Sequence, residues 1–453
     1  MNPGVSPATL EAYSEGTLAD REIKRAMKIA FVGGGSYAWG PDLLGDLAQS
    51  RTLRGTVCLN DIDPVAGERM QRLGRMYMAA ASAPFEVSYT PSLDEALDGA
   101  DYVLLSITTG GLRAMCGDLE IPQRYGIYQT VGDTVGPGGI ARGLRNIPVI
   151  VDLARRMERL CPNAWLLNVT NPMTTLCRAA TRATSIRAIG LCHEYRGVQM
   201  HARELLGPDA EVDGWQVAGV NHLPWVVGVE HASLQRLRDR LAAALPEPDP
   251  QGDPFGDRFR VKLEMFDLYG TFPAAGDRHV AEFFPSYLGS PDEAFRRYGL
   301  LLTHIHHRES TRARDIEAVL RQLDGRDPIN LAPSGEQAVG VIEALAGFGS
   351  REFVVNIPNQ GQLAGIRPGA VVECVATVDG DGVHPLPMPD LPPGPAAWVQ
   401  THVAAQELVV QAALEERMDL ALQAILIDPL SHRLSTADAR GMLHELVEHN
   451  KAV

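Results

Sequence analysis

Three small residues near the start of the chain have the spacing of a loop that holds a diphosphate. Gly33, Gly35 and Ala38 follow the apolar run 28–32, and Ser36 lies in the same segment. A buried strand that passes through such glycines into a helix lets backbone amides approach a pyrophosphate, and alanine is accepted at the third position. The segment predicts a dinucleotide-binding loop, although a glycine-rich turn without a ligand would have the same local sequence.

An acidic residue at the end of the next predicted strand narrows the choice of dinucleotide. The run 56–61 reads as a strand, and Asp61 ends it. A carboxylate at this position can bind the ribose hydroxyls of NAD, and it would repel the additional phosphate of NADP. We therefore expect NAD as the cofactor.

Strand-like and helix-like segments alternate through the first part of the chain. The predicted strands are 28–32, 56–61, 101–107, 164–169 and 188–192. Apolar residues at helical spacing separate them, most clearly over 65–80 and 149–160. This alternation predicts an α/β fold with a Rossmann-type, doubly wound parallel sheet, in which the carboxyl ends of the strands meet at one edge.

The alternation ends after residue 195, and the change predicts a second domain. The alternating run 371–378 indicates a strand of a separate sheet, and the proline- and aspartate-rich segment 246–257 indicates an exposed loop. The predicted regions are an extension over 1–27, an NAD-binding domain over 28–195, and an α/β (α+β) domain for substrate, metal and oligomer contacts over 196–453.

Composition and charge exclude several classes of partner. The chain has 41 Lys and Arg against 56 Asp and Glu, a net charge of -15. This acidic balance argues against nucleic acids and anionic membranes as partners, and no apolar run is long enough to span a bilayer. The 6 cysteines form no CxxC pair, which favours reduced thiols and a cytoplasmic location.

Short motifs spread along the chain are specific only in combination. They are 132–139 (GDTVGPGG), 168–172 (NVTNP), 190–194 (GLCHE), 219–222 (GVNH), 355–359 (VNIPN) and 420–426 (LALQAIL). Together with the glycine loop, they resemble the family 4 glycoside hydrolases over nearly the whole chain. The resemblance implies an enzyme that uses NAD and a divalent metal ion to cleave the glycosidic bond of a hexoside.

The chemistry that this resemblance implies differs from hydrolysis by a pair of carboxylates. NAD takes a hydride from C3 of the sugar, and the resulting ketone acidifies the proton on C2. A base removes that proton while the metal ion holds the developing enediolate, and the C1–O bond breaks by elimination. Water then adds and the hydride returns, so the reaction has no net redox change.

The resemblance also implies a pair of metal ligands, Cys192 and His222. Cys192 ends a predicted strand, where the sites of α/β proteins gather. A thiolate with an imidazole would suit zinc or iron by softness, so the expectation of Mn²⁺, or another divalent metal ion, rests on the resemblance. By residue type alone, a buried apolar cysteine and a satisfied core histidine are the alternatives.

Four polar residues are implied as contacts of the substrate or the cofactor. Asn171 matches a position that binds sugar hydroxyls, and an Asx-turn before Pro172 is the alternative. Asn168 is expected to contact the cofactor or to brace the same loop. Asp133 is expected to lie near the substrate or the metal ion, and Arg278 is expected to bind sugar hydroxyls. The alternatives are that Asp133 only stabilises its loop and that Arg278 only forms a salt bridge within its loop.

Proton transfer is assigned by the same resemblance to His193 and Asp277. The sequence 192–194 (CHE) resembles the branch that acts on non-phosphorylated α-glucosides, in which this histidine would assist the leaving oxygen. Tyr195 departs from the pattern of that branch, which leaves the sugar open. Asp277 is expected to remove the C2 proton, with Tyr269 as the competing base. A structural histidine and a solvated loop acid are the alternatives.

Three other functions stay open at this point. The charged run 304–314, which we interpret as a solvated helix face or a subunit contact, would also suit a 6-phosphorylated sugar. The first domain alone would fit a dehydrogenase of the lactate or malate type. The third possibility is a non-catalytic protein that senses NAD, which would tolerate the loss of Cys192, His222 and Asp277. The resemblance further implies a homodimer or a homotetramer.

Overall fold

The computed structural model describes residues 26–207, 212 and 214–453. The predicted extension over 1–27 lies outside the described residues except at its last two positions. Met27 already belongs to the first strand, one residue before the predicted start of the NAD-binding domain.

The secondary structure alternates first and becomes mixed later. The described strands are β1 (Met27–Val32), β2 (Gly55–Asn60), β3 (Phe85–Thr90), β4 (Tyr102–Leu105), β5 (Trp165–Asn168), β6 (Arg187–Gly190), β7 (Gln216–Val220), β8 (Leu223–Val227), β9 (Arg351–Pro358), β10 (Val371–Asp379) and β11 (Gly382–Pro385). The described helices are α1 (Trp39–Gln49), α2 (Pro64–Ala81), α3 (Leu93–Leu97), α4 (Gly111–Arg124), α5 (Gly136–Leu160), α6 (Met173–Ala183), α7 (Glu194–Leu206), α8 (His231–Ala243), α9 (Arg260–Tyr269), α10 (Asp277–Val280), α11 (Pro291–Tyr298), α12 (Ile305–Leu323), α13 (Ala338–Leu345), α14 (Pro393–Leu414), α15 (Met418–Ile427) and α16 (Thr436–Ala452), with 3-10 turns at Ala281–Phe283 and Pro429–Ser431. None of the described helices is long and apolar enough to cross a membrane.

The first six strands form the parallel half of one sheet. Their order is β3-β2-β1-β4-β5-β6, and each neighbouring pair is parallel. β1, β4 and β5 are buried along nearly their whole length, as expected of strands with helices on both faces. The predicted Rossmann-type α/β fold is confirmed, and the loops after β1, β4, β5 and β6 leave the sheet at the same edge.

The prediction of a separate second sheet is wrong. β10, which covers the run 371–378, lies between β9 and β7 in an antiparallel part of the same sheet. β9 joins the two parts by pairing with β6, at Gly190 and Asn356. The alternation along β10 misled because Glu373 and Cys374 are neighbours that are both buried, so its polar residue does not face water.

One hydrophobic core serves both halves of the sheet. The central helix α5 packs against α4, α6 and α14, so an N-terminal and a C-terminal helix share its surface. The main buried cluster runs from Met27 at the start of β1 to Leu446 in α16. Side chains from both halves are therefore held by a common core, and the loops at the carboxyl edge of the parallel strands can be rigidly placed.

Candidate active site

The glycine loop after β1 has a backbone that only glycine fits. Gly33 has a φ of +81°, and a Cβ placed on it would lie 1.8 Å from the carbonyl oxygen of Ser106. A Cβ on Gly35 would lie 2.7 Å from the Oδ2 atom of Asp61. This close approach of backbone to its neighbours is the geometry that a dinucleotide-binding turn requires.

The loop leads directly into the N-terminus of a helix. The Ser36 hydroxyl accepts a hydrogen bond from the amide of Trp39 at 3.1 Å, and α1 begins at Trp39 with Ala38 as its N-cap. The Asp61 carboxylate accepts from the amide of Gly35 at 2.9 Å, so the acid at the end of β2 is tied to the loop. The residues present fit a dinucleotide, because an anion at this helix end would meet the positive end of the helix dipole, beside a loop whose glycines allow close approach.

Two asparagines in the loop after β5 have different surroundings. The Asn168 amide donates to the Thr170 carbonyl at 3.0 Å and its oxygen accepts from the Thr170 amide at 2.9 Å, so this side chain braces the loop. The Asn171 amide donates to the Asp133 carboxylate at 3.2 Å. Its Oδ1 atom is buried and has no hydrogen-bond partner among the described residues, which leaves an acceptor for a ligand hydroxyl.

Asp133 also belongs to a compact group of metal-type ligands. One ligand atom from each of Asp133, His222 and His279 lies within 4.8 Å of the other two. Asp133 comes from the loop between α4 and α5, His222 from the turn between β7 and β8, and His279 from α10. The two imidazole rings lie 3.9 Å apart between centroids.

The local electrostatics give these three residues the protonation that metal ligands need. Burial lowers the pKa of His222, and burial together with the nearby His222 holds the pKa of His279 well below its usual value. Burial by itself would raise the pKa of Asp133, but His222, His279 and Arg142 outweigh it, so that pKa lies below the usual range. At neutral pH the cluster is one carboxylate with two neutral imidazoles, a set that fits a divalent cation.

A hydrogen bond selects the nitrogen of His222 that would face a metal ion. The Thr134 hydroxyl lies 2.8 Å from Nδ1 of His222, which leaves Nε2 as the ligand atom. His222 also has a backbone φ of +66°. A residue other than glycine rarely adopts this left-handed conformation, and the surrounding structure has to hold it there. Oriented imidazoles of this kind are typical of metal centres.

The other implied metal ligand is Cys192, whose thiol hydrogen-bonds with the Asn221 side chain and the Glu194 backbone. It is 8% exposed and packs with Met173, Cys177 and Val371 in a small cluster of its own. Burial raises the pKa of its thiol well above the usual value. The three-residue group of ligand atoms does not include its sulfur, so its role as a ligand stays a prediction.

Glu194, at the start of α7, lies beside the cluster. In the sequence it is the last residue of the motif 190–194, and nothing else there indicated a role for it. Its carboxylate accepts from the amide of Gly276 at 2.6 Å and lies 3.6 Å from Nε2 of His279. Burial by itself would raise the pKa of Glu194, but His279 and His222 have the larger combined effect and lower that pKa to about 2. Glu194 is therefore an anion that holds the loop carrying His279.

His193 is placed as a proton donor would be. Its imidazole is 52% exposed, and Nδ1 lies 3.1 Å from the Glu336 carboxylate. The hydrogen bond to Glu336 raises the pKa of His193 above its usual value. Its ring also lies 5.9 Å from that of Trp39, beside the glycine loop. Glu336 precedes α13 and carries no motif that would have identified it.

The two candidate bases both have structural partners. Asp277 is 1% exposed rather than solvated, and its two oxygens accept from the amides of Val261 and Lys262 at 2.9 and 3.0 Å. These bonds hold the N-terminus of α9. The Tyr269 hydroxyl accepts from the indole of Trp398 at 2.9 Å. The assignment of either residue as the base stays a prediction.

Two arginines border the cluster, and neither forms an ion pair with an acidic residue in the part of the chain that the structure describes. The guanidinium carbons of Arg278 and Arg308 lie 3.8 and 4.5 Å from the centroid of the Phe255 ring. Phe255 belongs to the segment 246–257, so the expectation of a wholly exposed loop is wrong at this residue, which is half-buried. Arg308 lies on α12 within the charged run 304–314, for which the sequence predicts a solvated helix face or a subunit contact, and its Nε atom is buried.

Comparison with known proteins defines the class. The sequence model of the Family 4 glycosyl hydrolase matches residues 28–207, and that of the Family 4 glycosyl hydrolase C-terminal domain matches residues 217–431. The chain therefore belongs to this family, and it is a glycoside hydrolase. The dehydrogenase and the non-catalytic NAD-binding protein are thereby set aside.

Particular relatives narrow the class further. The chain is 35% identical over 463 residues to an alpha-galacturonidase of Thermoanaerobacterium saccharolyticum (97% of each chain), and 35% identical over 440 residues to an alpha-galacturonidase of Bacillus subtilis (93% and 97%). The crystal structure of lplD from Bacillus subtilis is similar, with a TM-score of 0.85 and 34% identity over 93% of this chain and 99% of that one. A 6-phospho-alpha-glucosidase from gut microorganisms, solved in complex with NAD and Mn²⁺, shares the fold at 22% identity, with a TM-score of 0.80 over 94% and 98% of the two chains.

Proposed function

We propose that this protein hydrolyses α-galacturonides with the help of NAD and a divalent metal ion, Mn²⁺ by preference. The observation that carries the proposal is the Asp133, His222 and His279 cluster, which Asn171 connects to the edge of the sheet where the glycine loop lies. The curated relatives named alpha-galacturonidase support the choice of sugar. The α-glucoside predicted from the sequence is the second candidate, because an alpha-glucosidase of Erwinia rhapontici is 30% identical over 90% of this chain.

Particular residues would hold the NAD and the metal ion. The loop from Gly33 to Ala38 and the N-terminus of α1 would bind the diphosphate of NAD, with Asp61 at the ribose. His222, with Asp133, His279 and the implied ligand Cys192, would hold the metal ion. When bound, NAD supplies a reversible hydride acceptor for a sugar carbon, and the metal ion supplies positive charge for the sugar oxygens.

The chain's own residues orient the sugar and move its protons. The Oδ1 of Asn171, which has no partner among the described residues, accepts a hydrogen bond from a sugar hydroxyl and so holds the diol beside the cluster. His193, with its pKa raised by Glu336, donates a proton to the glycosidic oxygen as the aglycone leaves. Asp277 is the proposed base for the C2 proton, and burial with the nearby Asp257 raises its pKa to about 6.

A panel of sugars tests this function directly. Purified protein is incubated with NAD, Mn²⁺ and a thiol reductant, and with the p-nitrophenyl α-glycosides of galacturonic acid, galactose and glucose. We expect release of nitrophenol from the galacturonide, dependence on both NAD and Mn²⁺, and no accumulation of NADH. Hydrolysis of the glucoside alone would refute the proposed sugar, and NADH formed in proportion to product would refute the proposed chemistry.

A further inference from the structure

Two guanidinium groups with unused hydrogen-bond donors stand beside the ligand cluster. Nη1 of Arg278 and Nε of Arg308 are buried and have no hydrogen-bond partner among the described residues. Neither arginine forms an ion pair with an acidic residue within that part of the chain. A buried donor without a partner costs free energy, so such a pair is typical of a site that a ligand completes.

Four acidic groups act on Arg278, and each already has another partner. Asp253, which is exposed, accepts from the amide of Phe255 at 2.9 Å. Glu282 accepts from the amides of Val131 and Gly132, and Glu194 accepts from the amide of Gly276. Asp133 accepts from Asn171 and belongs to the metal-type cluster. The positive charge of Arg278 and Arg308 is therefore left for an anion that comes from outside the protein.

Phe255 holds the two guanidinium groups in one place. Both lie over its ring, at 3.8 and 4.5 Å from the centroid, and the ring attracts cations through its π face. An aromatic wall also reduces contact with water, which strengthens hydrogen bonds between charged groups. Two arginines that would repel each other are thus kept close together by one side chain.

We propose that Arg278 and Arg308, held by Phe255, bind the carboxylate on C6 of the substrate. The inference rests on the proposed galacturonidase function and names the residues that select a uronic acid. Arg278 immediately precedes His279 of the cluster, so an anion that it binds lies in the same site as a sugar whose C2 and C3 the cluster handles. C6 is attached to C5, on the far side of the sugar ring from those carbons, and planar guanidinium groups match a carboxylate in shape.

The test compares Arg308→Gln with a matched exposed arginine of the same helix, Arg314→Gln. The first measurement is kcat/KM for the p-nitrophenyl α-galacturonide divided by that for the neutral α-galactoside. We expect this ratio to fall about 10- to 100-fold in Arg308→Gln, the effect of losing a charge-assisted hydrogen bond. Arg314→Gln should leave the ratio as in the unsubstituted protein, and Arg308→Lys should recover part of it.

A binding measurement separates this inference from the proposed function. Titration calorimetry with free galacturonate and free galactose, on protein loaded with NAD and Mn²⁺, needs no turnover. Selective binding of galacturonate that weakens in Arg308→Gln supports the carboxylate site even where no galacturonide is hydrolysed. Galacturonide hydrolysis with an unchanged selectivity ratio in Arg308→Gln would overturn the site while leaving the function intact. If Arg308→Gln lowered activity only on a galactose 6-phosphate substrate, the carboxylate site would be overturned, and the arginines would instead bind a phosphate.

Discussion

The two halves of the sheet contribute to the site in different ways. The parallel half presents Gly33, Asn171 and His193 on loops that leave one edge because all its strands run in the same direction. The antiparallel half presents His222 from a tight turn and His279 from a four-residue helix. The first contribution follows from topology, whereas the second depends on irregular backbone that tertiary packing holds in place.

The largest expected effect lies in the antiparallel half. His222→Ala should lower kcat/KM by about 1,000-fold or more, because a metal ion contributes several kcal/mol to stabilising the charged transition state. Mn²⁺ binding, measured by titration calorimetry, should be lost with it. His306→Ala, at an imidazole that is 90% exposed, is the control and should retain both. Full activity in His222→Ala would leave the cluster without a metal role.

A substitution in the parallel half should abolish binding of NAD, whereas His222→Ala should abolish binding of Mn²⁺. Gly33→Ala places a methyl group 1.8 Å from the Ser106 carbonyl at a φ of +81°, so the loop must move away from its present path. We expect the NAD-induced rise in melting temperature to disappear. The control is Gly197→Ala, where a Cβ meets nothing within 4 Å. An undiminished NAD response in Gly33→Ala would show that the loop does not bind the cofactor.

Asp277 allows a third comparison, between catalysis and architecture. Asp277→Ala removes two bonds to the start of α9 and the second of the two acids that pair with Lys262, at 3.5 Å, while Asp257 remains its nearer partner. The free energy of unfolding should therefore fall by about 1–3 kcal/mol. Asp292→Ala, an exposed acid, is the control in urea unfolding. Asp277→Asn, which retains an acceptor, should unfold closer to the unsubstituted protein. If Asp277→Asn also keeps full activity, the base is another residue.

The smallest expected effect concerns the pH at which the acid works. The hydrogen bond to Glu336 raises the pKa of His193, so the proton donor persists to a higher pH than an isolated histidine would allow. The same contact stabilises the folded protein below the unfolded pKa of histidine, and this contribution is lost as the pH rises through the raised folded value. Glu336→Gln should move the alkaline limb of the kcat profile to lower pH, and exposed Glu352→Gln should not. An unmoved limb would dissociate His193 from the acid role.

The difference between the two halves also accounts for what the sequence could predict. The five strands predicted from 28 to 192 agree with β1, β2, β4, β5 and β6 to within two residues at each end, because short apolar runs between helices have few other solutions. β3, with its mixed burial, carries too weak a pattern and was missed. The continuous sheet was missed because the pairing of Gly190 with Asn356 joins residues far apart along the chain.

The site residues divide in the same manner. Asn171, His193 and Asp133 were predicted from motifs, and the structure places Asn171 in contact with Asp133. His279 follows Arg278 in the sequence, but nothing local indicated that its ring centroid would lie 3.9 Å from that of His222. Glu336, Arg308 and Phe255 were missed because tertiary packing alone brings them to the site.

Deuterium incorporation tests the account's central claim most directly. The proposed route removes the C2 proton of the sugar and later replaces it from solvent, whereas hydrolysis by paired carboxylates leaves that carbon untouched. Turnover of the p-nitrophenyl α-galacturonide in D₂O, with NAD and Mn²⁺ present, should release galacturonate that carries deuterium at C2, as seen by mass spectrometry and proton NMR. Product released at the same rate with hydrogen retained at C2 would contradict the account.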